Sequence, residues 1–121
     1  MSTLTDDAIR AEIEARLPGW RFDDGALRKR FTFRGFTAAI AFVDRMADVA
    51  KASRHHPDFC CHYDTVDVVV TTHSAGGVTA ADLSLARAIQ TVGEAVGDTP
   101  PSSTRSAPAP SSAPGPEEPD R

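Results

Sequence analysis

Only two cysteines occur among the 121 residues, and they are neighbours, Cys60 and Cys61. Adjacent cysteines cannot easily bridge each other, and no secretion signal accompanies them, so the expectation is reduced thiols in a cytoplasm. The opening stretch MSTLTDDAIRAEIEARL carries acids and no unbroken apolar core, unlike a signal or transit peptide. No apolar run approaches a membrane-spanning length, and no internal repeat is convincing. Cations are few: the formal net charge is −4, which excludes a strong polyanion binder. The one basic cluster, Arg28, Lys29 and Arg30 with Arg34, reads as a solvated strand surface rather than a nucleic-acid footprint.

What is present is an ordinary globular composition, 40% hydrophobic and 25% charged, at a length that favours one domain. Residues 98–121, DTPPSSTRSAPAPSSAPGPEEPDR, are rich in Pro, Ser and Ala and offer too little apolar surface to offset the entropy of ordering them. They are expected to form a disordered tail, leaving residues 1–97 as a single domain whose one core can sustain itself.

Within that domain, Ile9, Ile13 and Leu17 at four-residue steps predict a first helix, with Thr5 as its cap and Leu4 stapled onto Ile9. Pro18 and Gly19 end it. Trp20 and Phe22 alternate, Asp24 and Gly25 make a turn, and Leu27 to Phe33 resumes as a loosely alternating second strand. A long helix follows, with Phe36, Ile40, Val43, Met46, Ala47 and Ala50 on one face. Pro57 biases His56 away from helical angles, so the pair His55 and His56 belongs at or just past the helix end. Phe59 to Tyr63 forms a short strand, and Asp64 with Thr65 turns the chain into VDVVVTTH. There Val66, Val68 and Val70 face one way, and His73 ends on the less apolar side. After a glycine turn, Thr79 caps a third helix that points Leu83, Ala86, Ile89, Val92 and Val96 inward and stops at Gly97. The order is α-β-β-α-β-β-α. Strands arriving in hairpins imply an α+β fold, a four-stranded antiparallel sheet with three helices on one face.

All four histidines and both cysteines lie between His55 and His73. Imidazole titrates near neutrality, so histidines leaving the second helix and the fourth strand at one end of the sheet can accept one proton and donate another. Zinc is the competing chemistry, but no CxxC or HxxxH pair exists, and Cys60 and Cys61 would point to opposite faces of a strand. The cysteines read as packing residues, His62 as structural, and no metal site is expected. Asp82 has two readings that can hold together: Thr79-x-x-Asp82 is a shortened capping box, and its carboxylate can also orient a histidine.

The run HHPDF at His55 to Phe59, then VVVTTH, AGG and TAADLSLA, resembles the pterin-4a-carbinolamine dehydratase (4a-hydroxytetrahydrobiopterin dehydratase) family. The resemblance covers roughly residues 4 to 97 and extends to Gly19-Trp20 and to Phe31, Phe33 and Phe36. It implies the same fold in a homo-oligomer, dimer or tetramer, and a reaction without metal or organic cofactor. In that reaction a 4a-hydroxytetrahydropterin, released by an aromatic amino acid hydroxylase, loses water to give the quinonoid dihydropterin. The resemblance implies His55 and His73 as the acid–base pair, Asp82 as an orienting or polarising group, and His56, Pro57 and Phe59 as substrate-binding residues. It implies neither nucleic acid nor membrane as partner. Some members of the fold serve as dimerisation or assembly modules, which is the alternative function. The chain departs from the family's common pattern at Lys51, where an acid is frequent, at Arg54, where a small polar residue is common, and at Cys61, where Asn is frequent.

Overall fold

The computed structural model describes residues 2–98. The elements follow the expected order: α1 Asp6–Arg16, β1 Arg21–Asp23, β2 Ala26–Thr32, α2 Phe36–Ser53, β3 Asp58–His62, β4 Thr65–Val70 and α3 Ala80–Val96, with a short 3₁₀ turn at His73–Ala75 before α3. Local chemistry explains most boundaries. The Thr5 hydroxyl accepts the Ala8 N–H at the start of α1 (3.2 Å). Asp24 and Gly25 both take positive φ (52° and 73°) in the two-residue turn between β1 and β2, the geometry that matches strand twist.

All three strand pairings are antiparallel, in the order β1-β2-β4-β3. The second hairpin therefore joins the first through β4, and β1 and β3 are the edges. Leu27 opposes Val70 and Phe31 opposes Val66 on the covered face, and the three helices pack over it. The opposite face shows Arg30 and Asp67 to solvent, bridged Nε to Oδ1 at 2.7 Å. Hydrogen bonding to Arg30 holds the Asp67 carboxyl below the usual carboxylate range and the Arg30 guanidinium above its own.

The core centres on Phe31, whose ring lies 4.7 Å from Phe42 and 5.9 Å from Trp20, centroid to centroid. Burying a side chain of this kind contributes about 1.5–3 kcal/mol. Around it α2 is rotated from the face its spacing predicts, keeping Met46 and Ala50 inward but exchanging Phe36, Ile40 and Ala47 for Ala39 and Phe42. Ala39, Phe42, Met46 and Ala50 are buried, whereas Phe36 and Ile40 are 47% and 43% exposed and Ala47 is exposed. The helix is apolar on two sides, and the rings of Phe31 and Phe33 claim Phe42. Phe36 instead stacks on Tyr63 in the β3–β4 turn.

Two further expectations are corrected. Lys29 is not part of a solvated cationic surface. It shares the covered face with Leu27 and Phe31, is 4% exposed, and its Nζ donates to the Pro18 carbonyl (3.0 Å) and to Gln90 Oε1 (2.9 Å). Its ion-pair partner is Asp98, whose other carboxylate oxygen accepts the Thr32 N–H. Asp98, placed above at the start of the tail, thus belongs to the fold. The expected disorder of the remainder, residues 99–121, lies outside the described residues. Among the described residues no helix is long and apolar enough to cross a membrane.

Candidate active site

The end of α2 sets the first histidine in place. Arg54 adopts the left-handed conformation (φ 58°, ψ 32°), its N–H turns back to the Ala50 and Lys51 carbonyls, and the His55 N–H bonds to Ala50 O at 3.2 Å. The chain leaves the helix at that point, and Pro57 keeps it extended into β3. The His55 ring is carried toward the start of α3, where its Nε2 pairs with Asp82 Oδ1.

Asp82 has no exposed surface. A carboxylate there is costly unless each oxygen finds donors. Oδ2 accepts the Thr79 N–H at 2.8 Å, the Thr72 hydroxyl at 2.6 Å and the Thr79 hydroxyl at 3.3 Å, and the first turn of α3 adds the positive end of its dipole. Both readings of Asp82 therefore hold at once: it caps α3 and it orients His55. An ionised Asp82 requires the proton of neutral His55 on Nε2, which leaves Nδ1 as the basic nitrogen; once protonated, the imidazolium is balanced by the carboxylate behind it. Thr72 is a site residue that sequence reasoning passed over. Its signal was present, because alternation after Val70 turns Thr72 toward the covered side and His73 away from it.

His55 lines a cleft of about 520 Å³, together with His56, Pro57, Phe59, Met46 and Ala50, and Lys51 and Arg54 stand at the same wall. The lining is mostly carbon. Phe59 is 45% exposed, which leaves an aromatic face open to a flat ligand. Five of the six residues assigned to the site thus gather around α2 and β3: His56, Pro57 and Phe59 in the wall, and His55 backed by Asp82.

His73 does not join them in lining this cleft. It opens the 3₁₀ turn instead of ending β4, and its side chain is 81% exposed. Its Nε2 lies 3.7 Å from Asp58 Oδ2, beside Pro57, so it sits at the same end of the sheet but on the outer side. The reason is the pairing of Thr72 with Gly77 and with Asp82, which spends the inward position on threonine. Cys60 and Cys61 are free thiols, and burial together with the Asp64 charge pushes the Cys61 thiol up. Among the described residues no three His, Cys, Asp or Glu side chains approach closely enough to share a metal ion.

Comparison with known proteins identifies the family and the fold. Residues 2–92 match the family model described as pterin 4 alpha carbinolamine dehydratase. A curated protein of Thermomicrobium roseum, named "Putative pterin-4-alpha-carbinolamine dehydratase", is 44% identical over 82 residues, covering 68% of this chain and 88% of that protein. One of the same name from Afipia carboxidovorans is 49% identical over 86 residues, covering 69% and 85%. Among solved structures, a transcriptional coactivator/pterin dehydratase from Brucella melitensis superposes with a TM-score of 0.72 at 32% identity, over 76% of this chain and 99% of the other. A pterin dehydratase-like protein identified as a RuBisCO assembly factor in the alpha-carboxysome shares the fold at a TM-score of 0.55 and 20% identity, over 62% and 89%. On its matched residues and its fold, the chain belongs to the pterin 4 alpha carbinolamine dehydratase family.

Proposed function

We propose that the protein dehydrates a 4a-hydroxytetrahydropterin to the quinonoid dihydropterin and water, without metal or organic cofactor. The observation that carries this reading is the pairing of His55 with the fully buried Asp82 at the wall of an apolar cleft. Loss of the 4a-hydroxyl requires protonation of a poor leaving group and removal of the N5 proton, whose electrons expel it. His55, with Asp82 fixing its tautomer and stabilising its charged form, is the group suited to take the N5 proton through Nδ1. The family resemblance supports His73 as the second acid–base group; it stands outside the cleft beside Asp58, so protonating the 4a-hydroxyl from it requires the pterin to reach past the cleft wall at Pro57. His56 and Pro57 hold the pterin edge, and Phe59 stacks on its ring. The setting is a cytoplasmic homo-oligomer that supports tetrahydrobiopterin recycling behind an aromatic amino acid hydroxylase.

The test is the rate at which synthetic 4a-hydroxytetrahydropterin dehydrates with purified protein. Removing a positioned general acid or base costs roughly 10²–10⁴ in rate, so His55→Ala and His73→Ala are each expected to fall by about that factor. A wild-type protein no faster than His55→Ala would leave the alternative, a non-catalytic dimerisation or assembly module on the same fold. Retention of His55, His56 and His73 favours the enzyme, because a scaffold has no need of them.

A further inference from the structure

The cleft carries a charge that the dehydration does not require. Of the residues that line it, Lys51 and Arg54 are cations, His55 and His56 are imidazoles, and none is a carboxylate. Asp82 is sealed behind His55 with no exposed surface. Among the described residues neither Lys51 nor Arg54 has a carboxylate within ion-pair distance; Arg10, Arg21, Arg34 and Arg45 share that state, but only Lys51 and Arg54 line this cleft. Both cations are exposed, Lys51 in the last turn of α2 and Arg54 at its left-handed cap, and both border the same cleft.

Arg54 adds an independent observation. It occupies a left-handed position (φ 58°) that glycine or asparagine would fill at less conformational cost. Asp24 and Tyr63 take the same conformation (φ 52° and 57°), but of the three only Arg54 lines the cleft. Favourable interaction with the helix C-terminus suits cations there, and both of these also border the apolar cleft.

We infer that Lys51 and Arg54 make the cleft selective for a pterin whose side chain ends in an anion, a phosphate or a carboxylate. The inference rests on the pterin reading above and adds the substrate class to it. The bicyclic ring lies against Phe59 and His56, and the anion reaches the mouth, where Arg54 offers a planar fork of donors and Lys51 a point charge. An opposite charge at an exposed site contributes modestly, and two charge-assisted contacts together correspond to roughly a tenfold gain in affinity.

The experiment is equilibrium binding of fluorescent oxidised pterins in matched pairs: neopterin monophosphate against neopterin, and pterin-6-carboxylate against 6-hydroxymethylpterin. Wild-type protein is expected to bind at least one anionic member about tenfold more tightly than its neutral match, and the pair that shows the ratio identifies phosphate or carboxylate. The ratio should collapse toward one in a Lys51→Gln/Arg54→Gln variant and persist in Arg45→Gln, a cation of the same helix outside the cleft. It should also shrink in wild-type protein at about 0.5 M salt, a reading that needs no variant to fold. A ratio near one in wild-type protein, or one that survives both high salt and the double substitution, overturns the inference. Turnover of a neutral 4a-hydroxy-6-methyltetrahydropterin, measured alongside, reports on the dehydratase reading separately. Neutral turnover with no anionic preference sinks only the selectivity, and anionic preference with no turnover sinks only the catalysis.

Discussion

Lys29 and Asp98 form an ion pair inside the protein, Nζ to Oδ2 at 3.3 Å, with side chains only 4% and 3% exposed. It ties Asp98, two residues past the end of α3, to the middle of β2, and the same ammonium lies 4.6 Å from the centre of the Phe31 ring. Removing one member of a buried pair strands the other charge, whereas removing both leaves little to strand. Asp98→Ala is expected to lower unfolding free energy in urea by about 3 kcal/mol, and adding Lys29→Met should recover part of that loss. A double variant as unstable as the sum of the singles would show that the pair is not coupled.

Asp82 serves two structures at once, so its replacement should be felt in both. Asp82→Asn keeps the shape but offers one acceptor oxygen where four partners now compete. Leaving buried donors unsatisfied costs about 1–3 kcal/mol, which thermal unfolding would register. Dehydration should fall roughly 10²-fold or more with little change in KM, because the histidine loses its fixed tautomer rather than the pterin its contacts. Thr72→Val removes a single donor to the same carboxylate and should give a smaller loss of each kind.

The outer face of the sheet carries a pH signature. Arg30 holds the Asp67 carboxyl below its ordinary range, so the folded state binds that proton less readily than the unfolded chain. The stabilisation is therefore present above the unfolded carboxylate value of about 4 and is lost as pH falls through the lower, folded value. Arg30 and Asp67 side chains are 65% and 35% exposed, which limits the effect to roughly 0.5 kcal/mol. Melting temperatures of wild type and Asp67→Asn should differ at pH 7 and converge near pH 2.5; a constant gap would mean that the aspartate acts through packing.

Gly93 marks a close approach in the core. A Cβ built there would lie 2.6 Å from Phe31 Cε2 and 2.8 Å from Cδ2. Alanine is favoured over glycine inside a helix by about 1 kcal/mol, yet Phe31 is locked between Phe42 and Trp20 and has no room to yield. Overpacking of this kind costs about 1–3 kcal/mol, so Gly93→Ala should destabilise despite its propensity gain, as denaturant melts would record. A stabilised variant would show that the ring can move aside.

The site was legible where it depends on neighbours in the chain. The Thr79-x-x-Asp82 spacing marks a cap within one helical turn, and Pro57 after two histidines marks the end of α2; both stand as expected. That Asp82 also receives His55 was open, because 27 residues separate them and only the docking of α3 against α2 brings them together. His73 was expected at the end of its strand on the less apolar face; it opens a 3₁₀ turn instead, and its place outside the cleft was hidden, since the inward position had already gone to Thr72.

What this sequence settled unaided is the succession of elements and their ends: hairpin turns, caps, the left-handed stop at Gly97, and the HHP and TH signatures that mark the family. These follow from backbone sterics and hydrogen bonds that act within four or five residues. Tertiary structure alone chose the strand order β1-β2-β4-β3, the buried face of α2, and the pairing of Lys29 with Asp98. Each of those outcomes is a contest for one core among side chains far apart in the chain. Short-range pattern can name the contestants there, and only packing selects among them.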